Sequence, residues 1–179
     1  RGVIYEGRRY NAAISTAVSS AGVGIVRMRG PDSLGIAARI YKSGKEKKLC
    51  EQKSHTIHYG YIVDQGETVD EVLVMLMRGP RSYTGEDTVE INCHGGVYVV
   101  KRILEILIEN GARPAEPGEF TKRAFLNGRL DLSQAEAVGD LIAAQNQYAL
   151  QSSVSQLKGS IKNEINDIRN KIIYHTAFI

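Results

Sequence analysis

The spacing of apolar residues divides the chain near residue 115. Strand-like and helix-like segments alternate before that point, and helical spacing dominates after Pro117. Short apolar runs at 12–16 and 23–28, separated by the turn-like AVSSAG, predict two strands. In 55–63 the residues Ile57, Tyr59, Tyr61 and Val63 recur at period two, which predicts a strand with that face apolar. The sequence DQGE then turns the chain into a second strand at 69–77, so the two form an antiparallel hairpin. A further strand is expected at 88–93, with Thr88, Glu90 and Asn92 on one face and Val89, Ile91 and Cys93 on the other.

Helices are marked by their punctuation as well as their period. Gly30-Pro31-Asp32 reads as a helix start in which Asp32 caps free amides. Val100, Ile103, Leu104 and Leu107 lie on one face of a helix over 97–110, closed by Gly111. Pro117-Gly118 and Asn127-Gly128 are turns around a short helical stretch carrying Lys122 and Arg123, with Arg129 following the second turn. Ser133 to Glu136 reads as a capping box, starting a helix at about Gln134. Leu150, Val154, Leu157, Ile161, Ile165, Ile168 and Ile172 place an apolar stripe along what reads as one long helix. Apolar residues still arrive at YHTAFI, so the expectation is a truncated bundle whose remaining helices belong to a longer parent or a partner. The fold class is α+β: a small domain with a mixed or antiparallel sheet over 1–117, then a partial helical bundle over 118–179.

Composition narrows the function. With 179 residues, 42% of them hydrophobic, the chain can build a real core and is expected to be a soluble globular protein. A net charge of +3, dispersed except for the run KSGKEKK, argues against a dedicated nucleic-acid binder and leaves that run as a solvated loop. Cys50 and Cys93 fit neither a disulfide scaffold nor a metal site, which suggests free thiols in a reducing, cytoplasmic setting. No apolar run spans a bilayer, no histidine spacing suits a metal, and part of the first ten residues reads as foreign to the fold.

Candidate chemistry concentrates in YTGEDTVEINCHGG. Gly85 permits a tight turn, Glu86 and Asp87 put carboxylates at its tip, and Glu90 stands on the strand that follows. Glu90 has two readings: the solvated face of an edge strand, or an acceptor for paired N–H groups of a heterocycle. His94, Gly95 and Gly96 lead into a helix, where backbone amides meet an anion or a ring. No GxxxxGK[ST] motif occurs, so this chain alone is not expected to hydrolyse a nucleotide.

In order along the chain, GIVRMRGPDSL, RSYTGEDTVEINCHGG and EPGEFTKRAFLNGRLDLSQAEAV resemble the N-terminal region of the MnmE (TrmE) family of tRNA-modification GTPases. The resemblance implies a folate-binding domain that forms a homodimer, with a fold similar to that of the glycine-cleavage aminomethyltransferase. It also implies a helical domain into which a Ras-like GTPase domain is inserted. GTP, Mg and K would belong to that GTPase domain, and the family's catalytic cysteine to its later helices. With the flavoprotein MnmG (GidA), the family installs an aminomethyl-type group on the wobble uridine of certain tRNAs. A tetrahydrofolate derivative, 5-formyl-THF or 5,10-methylene-THF, is thought to supply the one-carbon unit.

Carried over by motif, the folate ligands are Arg27, Glu90 and Arg129, with His94, Gly95 and Gly96 lining the pocket. No catalytic residue and no metal ligand is assigned to this chain. Two departures touch the expected pocket: STAVSSAG replaces a loop usually rich in proline and glycine, and Arg129 stands where the family often has lysine. The alternative function is a docking or dimerisation module without a small-molecule site of its own.

Overall fold

A computed structural model describes residues 10–44 and 48–177. The reading of the first ten residues, Tyr10 apart, lies outside the described residues, as do the centre of the basic run and the last two residues. The chain separates into two units, Arg1–Pro117 and Gly118–Ile179.

The first unit is built on a seven-stranded sheet. Its strands are β1 (Asn11–Ile14), β2 (Gly24–Arg29), β3 (Tyr41–Lys42), β4 (Thr56–Asp64), β5 (Glu67–Met77), β6 (Thr88–Cys93) and β7 (Arg113–Pro114), in the spatial order β3-β4-β5-β6-β2-β1-β7. The β1–β7 pairing is parallel and the others are antiparallel, so the sheet is mixed and the fold is α+β. Helices α1 (Ser33–Ile40) and α2 (Val97–Glu109) supply Leu34, Ile36, Ile40, Val100, Ile103, Ile106 and Leu107 to a core with Val26, Met28, Val74, Leu76, Val89 and Ile91. The β4–β5 hairpin closes through Gln65 and Gly66, both at positive φ (48° and 91°), as its two-residue turn requires.

Three local expectations are corrected. On β4 the buried residues are Gly60 and Ile62, whereas Ile57 and Tyr59 are exposed. The more apolar set faces away from the core, and on the buried face Gly60 is tightly enclosed: a Cβ there would stand 2.4 Å from Lys42 O. Asp32 occupies the N-cap of α1 but makes no side-chain cap bond. Its carboxylate lies 3.7 Å from Arg39 Nη2 instead. Finally, β6 lies between β5 and β2 rather than at an edge, which removes the solvated-edge reading of Glu90.

The second unit contains α3 (Glu119–Leu126), α4 (Leu132–Ala143), α5 (Gln147–Leu157) and α6 (Ser160–Thr176). The capping box is present two residues earlier than expected. Asp131 accepts from Gln134 N at 2.9 Å, while Gln134 Oε1 accepts from Asp131 N at 2.9 Å. Two frames of the same motif overlap here, and the earlier one satisfies the first free amides. The apolar stripe belongs to two helices, not one. Gly159 at φ 83° breaks the helix between Leu157 and Ser160, and the spacing of four from Leu157 to Ile161 conceals that break in the sequence. Helices α4 and α5 are tied by Gln134 Nε2 donating to Leu157 O at 2.8 Å and Gln156 Nε2 donating to Ser133 O at 2.9 Å.

Candidate functional site

Alternation along β2 sends Val26 and Met28 into the core, so Arg27 and Arg29 project from the opposite face. The same logic on β6 buries Val89 and Ile91 among the helices and turns Thr88, Glu90 and Asn92 the other way. The register then sets Arg27 directly opposite Glu90 and Arg29 opposite Thr88. Arg27 Nε donates to Glu90 Oε1 at 2.6 Å, with side-chain exposures of 30% and 9%. A carboxylate on a central strand, ion-paired beside a partly open guanidinium, presents acceptors and donors side by side to one planar ligand edge.

A second pair stands beside the first. Arg29 is fully buried, and its Nη1 donates to Glu86 Oε2. Glu86 belongs to the segment between β5 and β6, which is braced by its own polar groups. Ser82 Oγ donates to Glu86 O at 2.6 Å, and Gly79 N–H donates to Asp87 Oδ1 at 2.8 Å. Asp87 O accepts from Gly30 N at 2.9 Å and from Ser33 Oγ at 3.2 Å, joining this segment to the end of β2 and the start of α1. Gly85 within it has φ 77°, as the expected tight turn requires.

His94 is placed differently. Its ring Nδ1 lies 2.7 Å from Asp70 Oδ1, and its backbone N–H donates to Asp70 Oδ2 at 2.8 Å. Asp70 alternates on β5 with Val72 and Val74, so the imidazole is tied to the helix-covered side, while Glu90 projects from the other. The hydrogen bond that Asp70 accepts from the ring favours the protonated imidazole and raises the His94 pKa above its ordinary value. Cys93, immediately before it, is buried, which pushes its thiol up to about 11 and leaves it unreactive. Gly95 packs against the segment before β2, where Ala21 N–H donates to Gly95 O at 3.2 Å. The structure therefore brings Arg27 and Glu90 together and sets His94, Gly95 and Gly96 at the end of β6, apart from them.

Arg129 belongs to the second unit. It is exposed, follows Gly128 at φ 71°, and its backbone N–H donates to Ala124 O at 2.8 Å. Arg29 and Asp70 do not stand out from the sequence as site residues; Glu86 does, as a carboxylate at the tip of the Gly85 turn, and the structure pairs it with Arg29. The available signals were a second arginine at period two from Arg27 and a carboxylate in phase with the core residues of β5. Among the described residues, no group of three or more His, Cys, Asp or Glu is arranged to hold a metal, and no helix is long and apolar enough to cross a membrane.

Comparison with known proteins gives concordant results. Residues 11–129 match the family described as GTP-binding protein TrmE N-terminus, and residues 132–179 match the MnmE helical domain. Similar proteins include the tRNA modification GTPase MnmE of Lachnoclostridium phytofermentans, 56% identical over 94% of this chain and 37% of its own length. That of Carboxydothermus hydrogenoformans is 53% identical over 94% of this chain and 37% of its own length. That of Streptococcus thermophilus is 55% identical over 90% and 35%. The chain thus spans 37% of the length of the first two relatives.

Proposed function

The chain belongs to the MnmE (TrmE) family of tRNA-modification GTPases, and from that premise we propose that it binds the tetrahydrofolate one-carbon donor of the modification and dimerises. The reaction served is 5-aminomethyl-type modification of the wobble uridine, carried out with a flavoprotein partner of the MnmG kind. The observation that supports this reading best is the Arg27–Glu90 pair, locked by strand register and joined at 2.6 Å.

The pair fits the reduced pterin ring. One edge of that ring carries an amino group, a ring N–H and a carbonyl. Glu90 accepts from the two N–H donors, and Arg27 donates to the carbonyl or to the glutamate tail of the folate. Arg129 is assigned to the same ligand on the family motif alone. His94, Gly95 and Gly96 are assigned a supporting part, shaping the end of β6 rather than touching the ring. When bound, the folate supplies a carbon at the formyl or methylene level, and this chain's residues bind and orient it.

The test is calorimetric titration of the chain with 5-formyl-THF beside folded Arg27→Ala, Glu90→Ala and Arg129→Ala variants. Saturable binding near one ligand per chain is expected, weakened about tenfold or more, roughly 1.4 kcal/mol, by Arg27→Ala and by Glu90→Ala. A folded chain that does not bind sinks the folate reading and favours a docking module.

A further inference from the structure

The sheet face that carries the Arg27–Glu90 pair continues past it. On the side of Glu90 away from Arg27, register sets Met75 of β5 directly opposite. Two residues along the strands runs a neighbouring row, Ile25–Asn92–Leu73–Tyr59, in which each residue faces the next across β2, β6, β5 and β4. Opposite residues of paired strands share a face, so this row looks the same way as Glu90.

The two flanks of the pair differ. On one flank Thr88, Arg29 and Asn11 form a row that is buried, and no ligand can lie over it. On the other, Leu73 is 47% exposed and Tyr59 54%, while Ile25 and Asn92 are half-buried. A ligand whose polar edge meets Glu90 and Arg27 therefore runs toward the open row, over Asn92 and Leu73. Leu73 stands diagonal to Glu90, roughly 7–8 Å away, a distance that a fused two-ring system bridges.

The open row suits an aromatic group. Ile25, Leu73 and the adjacent Met75 are apolar, and Asn92 is steadied by its Nδ2 donating to Leu73 O at 3.3 Å. Tyr59 closes the row, its ring edge-on to Tyr61 with centroids 5.8 Å apart. An apolar lining beside a few fixed polar groups is the usual make-up of a small-molecule site. Past that end the Tyr59 hydroxyl meets Glu71, whose charge turns an anionic tail away from the sheet and into solvent.

We infer that the row Ile25–Asn92–Leu73–Tyr59, with Met75, is the second half of the site and receives the aminobenzoyl ring of the folate, Leu73 being the residue that distinguishes a folate from a free pterin. This rests on the folate reading above and deepens it. With the aromatic ring over Leu73, Arg27 is left to the carbonyl edge of the pterin, and the glutamate tail leaves the sheet beyond Tyr59.

The experiment titrates the unsubstituted chain and Leu73→Ser, each checked for folding by circular dichroism, with two ligands. One is 5-formyl-THF, and the other is 5-formyl-6-methyltetrahydropterin, which keeps the two-ring system and lacks the aminobenzoylglutamate. Leu73→Ser is expected to weaken 5-formyl-THF about tenfold and the pterin by less than about twofold. A second readout needs no substitution: in methyl-labelled NMR of the unsubstituted chain, the Leu73 methyls are expected to show nuclear Overhauser contacts to the benzoyl protons of bound 5-formyl-THF. If Leu73→Ser does not fold, those contacts decide.

Equal weakening of both ligands, an unchanged folate affinity in the folded variant, or benzoyl contacts without Leu73 overturns the inference and leaves the folate reading standing. Loss of a dimer in sedimentation of Leu73→Ser, with folate affinity unchanged, assigns the face to a second copy of the chain and overturns it as well. No binding of 5-formyl-THF by the unsubstituted chain sinks the folate reading itself, and this inference with it.

Discussion

Glu90 faces Arg27 across the central β2–β6 pairing and accepts its Nε–H at 2.6 Å. Glu90 is almost completely buried and Arg27 partly open, so the pair is held from the carboxylate side and reads its surroundings from the guanidinium side. Glu90→Gln keeps the shape but loses the charge-assisted bond. An expected cost of about 1–2 kcal/mol in urea denaturation follows, discounted for the open side of Arg27. No loss would mean that the pair does not persist in solution.

Asn11 offers a gain in stability. It begins β1 fully buried, and neither polar atom of its carboxamide has a hydrogen-bond partner among the described residues. Such an orphaned amide costs about 1–3 kcal/mol, and a β-branched residue suits a strand better. Asn11→Val is expected to raise Tm by several degrees in calorimetry. A lower Tm would show that the amide is satisfied in solution.

The His94–Asp70 contact is open to titration. Asp70 raises the His94 pKa, so the stabilisation is fully present below the ordinary value of about 6.5 and is lost as pH rises through the folded value. The imidazole signals of His94 are expected to titrate with a midpoint above about 6.5. Asp70→Asn should bring that midpoint back down. A midpoint at or below the ordinary value in the unsubstituted chain contradicts the contact.

Gly95 has no room for a side chain: a Cβ there would lie 2.4 Å from Ala21 O, a backbone atom that cannot rotate away. Gly95→Ala is expected to cost about 1–3 kcal/mol by forcing the segment before β2 outward. Thermal unfolding measures it, and an unchanged Tm rejects the close packing.

Asp131 provides a check on the second unit. Its carboxylate accepts the Gln134 N–H, which holds its pKa below the ordinary carboxylate value. The capping contribution is therefore present above about pH 3.9 and lost as pH falls through the folded value. Asp131→Ala is expected to cost about 1 kcal/mol near neutral pH, read as faster amide hydrogen exchange at the start of α4. Ser133→Ala should cost less, because Ser133 is inside the helix rather than at its cap.

Much of this architecture was legible because local physics dictates it. Period two marked β4, the turn DQGE marked the β4–β5 hairpin, the spacing of Val100, Ile103 and Leu107 marked α2, and Gly85 and Gly128 marked turns that need positive φ. Where two local rules competed, local reading failed. Asp131 and Ser133 both begin plausible caps, and the steps of three and four run unbroken through Gly159 although the helix does not.

By itself, then, the sequence determined most of the elements, the α+β class and the family, since these rest on periodicity, turn chemistry and motifs carried by neighbouring residues. Tertiary structure alone decided which face of β4 meets the core, that β6 is central, and that Glu90 meets Arg27 while Glu86 meets Arg29. Arg27 and Glu90 are 63 positions apart in the chain. No local preference carries information over that distance, and only the order and register of strands in the sheet makes them neighbours.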